Sequence, residues 1–127
     1  MSIRPDMIGI VVENIDASLR FYRLLGLDVP SPKKGEDFVE ITSHGYRISW
    51  NALSMVKEID PEWVRPVGHR MELAFKCDAA SEVDATYEKL IAAGHAGHKA
   101  PWDAFWGQRY AVVVDPDGNR VSLFAPL

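Results

Sequence analysis

The chain has 127 residues, 47% of them hydrophobic and 25% charged, with a net charge of −4 and one cysteine. That length suits one domain or two tightly fused modules, and the composition is that of an ordinary globular protein. No Lys/Arg cluster could neutralise phosphates, no apolar run opens the chain as a secretory signal would, no stretch approaches the ~20 apolar residues of a bilayer span, and Cys77 alone cannot close an internal disulfide. Nucleic-acid and membrane partners are therefore not expected, and a cytoplasmic location is.

Residues 7–12 form an apolar, β-branched run that reads as a strand. Asn14 follows as an N-cap with Asp16 in the first helical turn. Leu19, Tyr22 and Leu25 then recur at helical spacing, and Gly26 ends the helix. Strands are expected near residues 38–42 and 46–51, turning at Ser43-His44-Gly45. Residues 54–59 suit a helical turn, while Pro61 and Pro66 limit regular structure in the connector.

The second half repeats this plan. Residues 71–77 read as a strand and Asp78 as an N-cap. A helix over residues 79–93 carries Val83, Tyr87, Leu90 and Ile91 at i, i+4, i+7 and i+8. Gly94 stops it. Residues 95–101 read as a loop or short strand, and residues 102–106 as an aromatic loop. A hairpin follows, turning at Asp115-Pro116-Asp117-Gly118, where Pro116 presets φ at the first central position.

The hairpin has an earlier echo. Asp117-Gly-Asn-Arg-Val-Ser-Leu123 aligns with His44-Gly-Tyr-Arg-Ile-Ser-Trp50, an offset of 73 residues between Gly45 and Gly118. The echo divides the chain into a first module of about residues 5–52, a connector of 53–68 and a second module of about 69–127, all within one domain of 1–127. The predicted fold class is α+β: two βαβββ modules with a curved mixed sheet, helices on one face and the other face free. Period-two alternation puts Arg47, Ser49 and Asn51 on one strand face, and Arg120, Ser122 and Phe124 on another. Cys77 shares the parity of Leu73 and Phe75, the helix-facing side, and reads as a buried hydrophobe.

With these elements in place, Met7-x-x-Ile-x-Val-x-Asn14, Ser18-x-x-Phe21-Tyr22, Leu25-Gly26, Trp106-Gly107 and Asp115-Pro-Asp-Gly-Asn119 resemble the vicinal oxygen chelate superfamily. That group includes glyoxalase I, extradiol dioxygenases and bleomycin-resistance proteins. The resemblance covers nearly the whole chain. It implies four metal-holding positions, two per module, and these fall on Met7, Ser49, Glu72 and Ser122. Only Glu72 is a good ligand for a divalent transition metal, so neither a metal nor another cofactor is expected. Glu72 is instead the candidate acid or base, with an arginine as its natural partner.

Ser49, Arg47, Arg120 and Ser122 would make a polar floor, and Trp50, Trp102, Phe105 and Trp106 aromatic walls for a planar or cationic ligand. The expected function is binding of a small, aromatic organic molecule, as in the bleomycin-resistance branch, by a homodimer. A metal-dependent glyoxalase-like or dioxygenase-like enzyme, and a metal-free enzyme using Glu72, stay open as alternatives.

Overall fold

The computed structural model describes residues 3–127. The chain forms two compact units. The first holds the residues up to Arg23 and Leu27–Arg65; the second holds Leu24–Gly26 and Pro66–Leu127. Both are mixed α and β, which agrees with the α+β expectation.

In the first unit the order is β1 (Met7–Val12), α1 (Ile15–Leu25), β2 (Phe38–Ser43), β3 (Tyr46–Ala52) and α2 (Leu53–Ile59). The sheet order is β1-β3-β2, parallel between β1 and β3 and antiparallel between β2 and β3. Asn14 caps α1 as its composition predicts, its Oδ1 accepting the Ala17 N–H at 2.9 Å. His44 and Gly45 both have positive φ, 51° and 86°. That is the two-residue hairpin geometry whose twist matches the flanking strands, and it fixes the Ser43–Tyr46 pairing. Ile10, Val12, Val39, Ile48 and Trp50 are buried together with Leu19, Phe21 and Tyr22 of α1. The first unit has three strands, because the segment after β3 turns into α2 and not into a fourth strand.

The second unit carries the full βαβββ plan: β4 (Leu73–Lys76), α3 (Ala80–Ala92), β5 (Ala96–Ala104), β6 (Gln108–Val114) and β7 (Arg120–Pro126). Its sheet order is β4-β7-β6-β5, with only the β4–β7 pair parallel. Cys77, Val83, Ala111, Leu123 and Ala125 make the core between sheet and helix, with Phe75 and Tyr87 packed on it. Gly97 allows this packing at one edge, since a Cβ there would lie 2.1 Å from the Tyr87 hydroxyl oxygen.

Two expectations need correction here. Asp78 is not the cap of α3. Ala79 occupies that position without a side-chain bond, so the Asp78 carboxylate stands one residue too early to reach the first free N–H groups. The aromatic loop of residues 102–106 is mostly strand: β5 continues through Pro101 to Ala104, and only residues 105–107 turn. Pro101 is tolerated because β5 is an edge strand with register shifts on either side of Lys99. Among the described residues no helix is long and apolar enough to cross a membrane.

The β6–β7 turn is held by Asp115, which is buried. Its Oδ1 accepts the N–H groups of Asp117 at 3.0 Å and Asn119 at 2.8 Å, and its Oδ2 accepts the Asn119 side-chain amide at 2.9 Å. Gly118, at φ 87°, closes the turn with its N–H on the Asp115 carbonyl. Asp115→Ala should therefore destabilise the protein by about 2–3 kcal/mol, since buried donors lose a charged acceptor. Gly118→Val should cost about 1–3 kcal/mol through backbone strain. Chemical denaturation of both variants checks this; midpoints equal to wild type would show that the turn does not hold the hairpin.

Candidate functional site

Each sheet has one face under its helix and one face without. Register decides which residues belong to which. In the second unit, Lys76 pairs with Phe124, Phe124 with Tyr110, and Tyr110 with Trp102. Directly opposed residues share a face, so one row runs straight across four strands as Lys, Phe, Tyr, Trp. Ser122, Val112 and Lys99 form the next row of the same face. The alternate residues, Phe75, Leu123 and Ala111, face the helix core.

The aromatic rings in this row touch one another. Trp102 meets Tyr110 edge-on at 5.4 Å, and Tyr110 stacks on Phe124 at 6.3 Å with planes 23° apart. Trp106 reaches back from the β5–β6 turn to Tyr110 at 5.3 Å and to Trp102 at 6.0 Å. Its indole N–H donates to Gln108 Oε1 at 2.7 Å, which holds the ring in place. Phe105 lies against Trp106 but is 96% exposed, at the tip of the turn. Lys99 Nζ sits 4.0 Å from the centre of the Trp102 ring, a close cation–π contact. Trp102, Tyr110 and Phe124 are partly exposed and Trp106 is 48% exposed, so these rings are assembled without being sealed.

The hairpin bearing these rings is fastened from its other face. Arg109 takes Asp84 of α3 in a two-pronged bond, 2.9 and 3.1 Å, and Asp103 of β5 at 3.1 Å. The hydrogen bond to Asp84 does most to raise the guanidinium pKa; desolvation opposes it, and the hydrogen bond to Asp103 adds to the rise. The fork geometry ties helix, β5 and β6 together.

The expected site residues separate under this register. Trp102, Phe105 and Trp106 are brought together. Ser122 and Arg120 share their sheet face, Arg120 two positions beyond Ser122 and away from the rings. In the first unit, Ser49 and Arg47 share the face that Gly9, Met7 and Glu40 also occupy. Arg47 is engaged there by Glu40 at 2.9 Å and Asp6 at 3.1 Å. Trp50 belongs to the opposite parity. It is fully buried and edge-on to Tyr22 at 5.5 Å, so it is a core residue and not a ligand-facing wall. Glu72 is exposed and lies just before β4, where it forms no ion pair with an arginine; the expected carboxylate–guanidinium pair is absent among the described residues.

Ser49 and Ser122 occupy matching places. Each opposes the small residue of its parallel neighbour, Gly9 for Ser49 and Ala74 for Ser122. Both side chains are fully buried and neither hydroxyl has a hydrogen-bond partner. In the first unit a Cβ on Gly9 would lie 3.3 Å from Ser49 Oγ and 2.9 Å from Asn51 Nδ2, so glycine leaves these groups their space. Among the described residues no three His, Cys, Asp or Glu side chains gather as a metal site would need. A hollow of about 440 Å³ near the start of α1 is lined by Asp16, Lys33, Lys34 and Glu36 among others; it has mixed charge and no aromatic ring.

Tyr110 and Phe124 complete the aromatic row and Lys99 adds a cation beside it, none of the three a site residue by sequence reasoning. Phe124 stood on the correct face by alternation. Tyr110 is legible in sequence only as a strand residue, and Lys99 only as part of a loop or short strand.

Comparison with known proteins places these features. The model of the Glyoxalase/Bleomycin resistance protein/Dioxygenase superfamily matches residues 4–123. An uncharacterised protein of Mycolicibacterium smegmatis is 27% identical over 121 residues, covering 95% of this chain and 92% of that one. A glyoxalase/bleomycin resistance protein/dioxygenase family enzyme from Burkholderia phytofirmans superposes with a TM-score of 0.83 at 23% identity, over 96% of this chain and 98% of its own. A protein from Agrobacterium tumefaciens, solved in solution, superposes at 0.75 with 26% identity over 99% of both chains.

Cys77 lies outside the candidate site. Burial raises its thiol pKa first, and the charges of Glu82 and Asp78 raise it further. The thiolate is the nucleophile, so the folded protein should react with iodoacetamide at pH 8 at least about tenfold more slowly than the same protein in denaturant. Mass spectrometry of the alkylated fraction over time reads this out; equal rates would show the thiol to be accessible and ionised.

Proposed function

This chain belongs to the glyoxalase/bleomycin resistance protein/dioxygenase superfamily, and we propose that it binds a small, planar aromatic organic molecule without metal chemistry, in the manner of the superfamily's drug-sequestering branch. The observation that carries this reading is the row of Trp102, Tyr110 and Phe124, partly exposed on the sheet face that α3 does not cover, with Trp106 locked beside it. Preassembled aromatic surface is well suited to stacking a flat ligand, because the rings lose little freedom when it docks.

The metal implied by the superfamily does not fit the residues present. The four positions are a thioether at Met7, hydroxyls at Ser49 and Ser122, and the exposed carboxylate of Glu72. Neutral hydroxyls and a thioether are weak donors for first-row divalent ions, which take imidazole, thiolate and carboxylate. The orphaned Ser49 and Ser122 hydroxyls are better matched to a hydrogen-bonding group of a ligand, or to water. Binding without turnover follows as the preferred reading, in a cytoplasmic homodimer.

Titration of polycyclic and glycopeptide compounds against wild type and variants tests the reading. Stacking contacts are worth about 1–3 kcal/mol each, so Trp102→Ala or Trp106→Ala should weaken a bound compound by about five- to 150-fold. Trp63, which lies in the connector with Lys57 5.8 Å from its ring centre, is the control, and Trp63→Ala should change affinity less than about twofold. A ligand whose affinity falls no more in the two site variants than in the control would remove the aromatic row from the binding site. Light scattering should give twice the protomer mass; a protomer mass across the concentration range would reject the dimer.

A further inference from the structure

We propose that the aromatic row selects an anionic ligand: a planar arene bearing a carboxylate or a similar negative group, received by Lys99. This rests on the binding reading above and deepens it by naming the ligand's charge.

The first ground is the charge on the face itself. The row has Lys76 at one end, beside Phe124, and Lys99 next to Trp102 at the other. None of the strand residues on this face is acidic. Asp103, the one acid within β5, opposes Arg109 on the other face and bonds to it at 3.1 Å. Glu72 precedes the first residue of β4, in line with the Arg120 end of the sheet and away from the rings. A chain of net charge −4 thus presents an aromatic surface flanked by cations.

The second ground is how Lys99 comes to be there. Lys99 and Trp102 are three residues apart, a spacing that would put them on opposite faces of a regular strand. The register of β5 shifts between Gly97 and Lys99 and again between Lys99 and Trp102. A bulge of this kind re-aims a side chain. Here it moves Lys99 onto the ring side, opposite Val112, while Gly97 remains under Tyr87. Neither Lys99 nor Lys76 forms an ion pair among the described residues, so both ammonium groups are available.

The third ground is exclusion. An uncharged aromatic row would favour a cationic ligand through its ring faces. Lys99 already occupies the face of Trp102 at 4.0 Å, so an incoming ammonium meets a like charge there. An anionic group draws Lys99 off the indole as its counter-ion, and the arene takes the ring face of Trp102 so freed, beside Tyr110. Strands lie about 4.8 Å apart, so a two-ring arene spans roughly two strands and reaches Lys99 without reaching Lys76.

The test uses three probes with one ring system: 2-naphthoate, 2-naphthamide and 2-naphthylmethylammonium. Each is titrated calorimetrically into wild type, Lys99→Met and Trp102→Ala. Wild type should bind naphthoate about two- to fivefold more tightly than naphthamide, and the ammonium most weakly, the scale of an exposed ion pair. Raising NaCl from 0.05 to 0.5 M should erode the naphthoate advantage alone. Lys99→Met should bring naphthoate and naphthamide to equal affinity, while Trp102→Ala should weaken all three. If the ammonium binds as well as naphthoate, or the naphthoate advantage survives both Lys99→Met and high salt, the anion inference is overturned. Weakened naphthamide binding in Trp102→Ala would then leave the aromatic reading standing. If no probe binds wild type, or Trp102→Ala leaves all three unchanged, both the aromatic reading and this inference fall.

Discussion

The packing of one helix onto one face of each sheet is the constraint from which the rest of this structure follows. Val83 and Leu90 of α3 are wholly buried, as are Ala111, Val113 and Val121 in the sheet. A fully buried side chain of this size contributes about 1.5–3 kcal/mol, so the sheet cannot turn over without losing its core. Because strand side chains alternate, that commitment also settles the opposite face. Tyr110 and Phe124 are displayed together because their neighbours Ala111, Leu123 and Ala125 are needed by the helix core. In the first unit the same rule removes Trp50 from any ligand and gives it to Tyr22, while Ser49 and Arg47, one residue to either side of the Trp50–Ile48 parity, take the other face.

The internal repeat is visible in register as well as in sequence. Gly9 opposes Ser49 as Ala74 opposes Ser122, and in both units the first strand runs parallel to the last strand of its sheet's core pair. The repeat therefore places equivalent residues in equivalent surroundings, including two buried hydroxyls without partners. A buried hydroxyl left unpaired costs stability. Ser49 lies beside a glycine and Ser122 beside an alanine, so neither hydroxyl is crowded by its strand neighbour. The same positions in a metal enzyme would hold strong donors, and serine at both is the main chemical reason for preferring binding over metal-assisted turnover.

Much of this was legible in the sequence where a local rule acts alone. The Asn14 cap, the φ-positive turns at Gly45 and Gly118, the β1 boundaries and the helix-side parity of Cys77 all follow from short-range chemistry. The failures share a cause, which is tertiary context. Asp78 has the composition of a cap but misses by one residue, since Ala79 occupies the cap position. Glu72 has the charge for an arginine partner, yet it lies exposed before β4, where water solvates the carboxylate and no pairing is required. Arg109, whose bonds to Asp84 and Asp103 join three elements, gives no sequence signal because its partners are 25 and 6 residues away.

The aromatic segment shows most clearly why a sequence can identify residues and still misplace them. Pro101 argues for a break, and in a central strand it would be one. At the edge it costs no ladder bond that matters, and β5 runs through it with two irregularities in register. Those irregularities cancel between Gly97 and Trp102, which stay on opposite faces, but they shift Lys99 between them onto the ring side. Regular alternation back from Trp102 would send Lys99 toward the helix side, where Tyr87 and Ile91 crowd Gly97 and a charged ammonium would be buried without a partner. The bulged strand keeps glycine under Tyr87 and tryptophan beside Tyr110, and adds lysine in water above the indole. The electrostatic character of the candidate site is thus set by backbone irregularity in an edge strand, a level of structure to which neither composition nor periodicity has access.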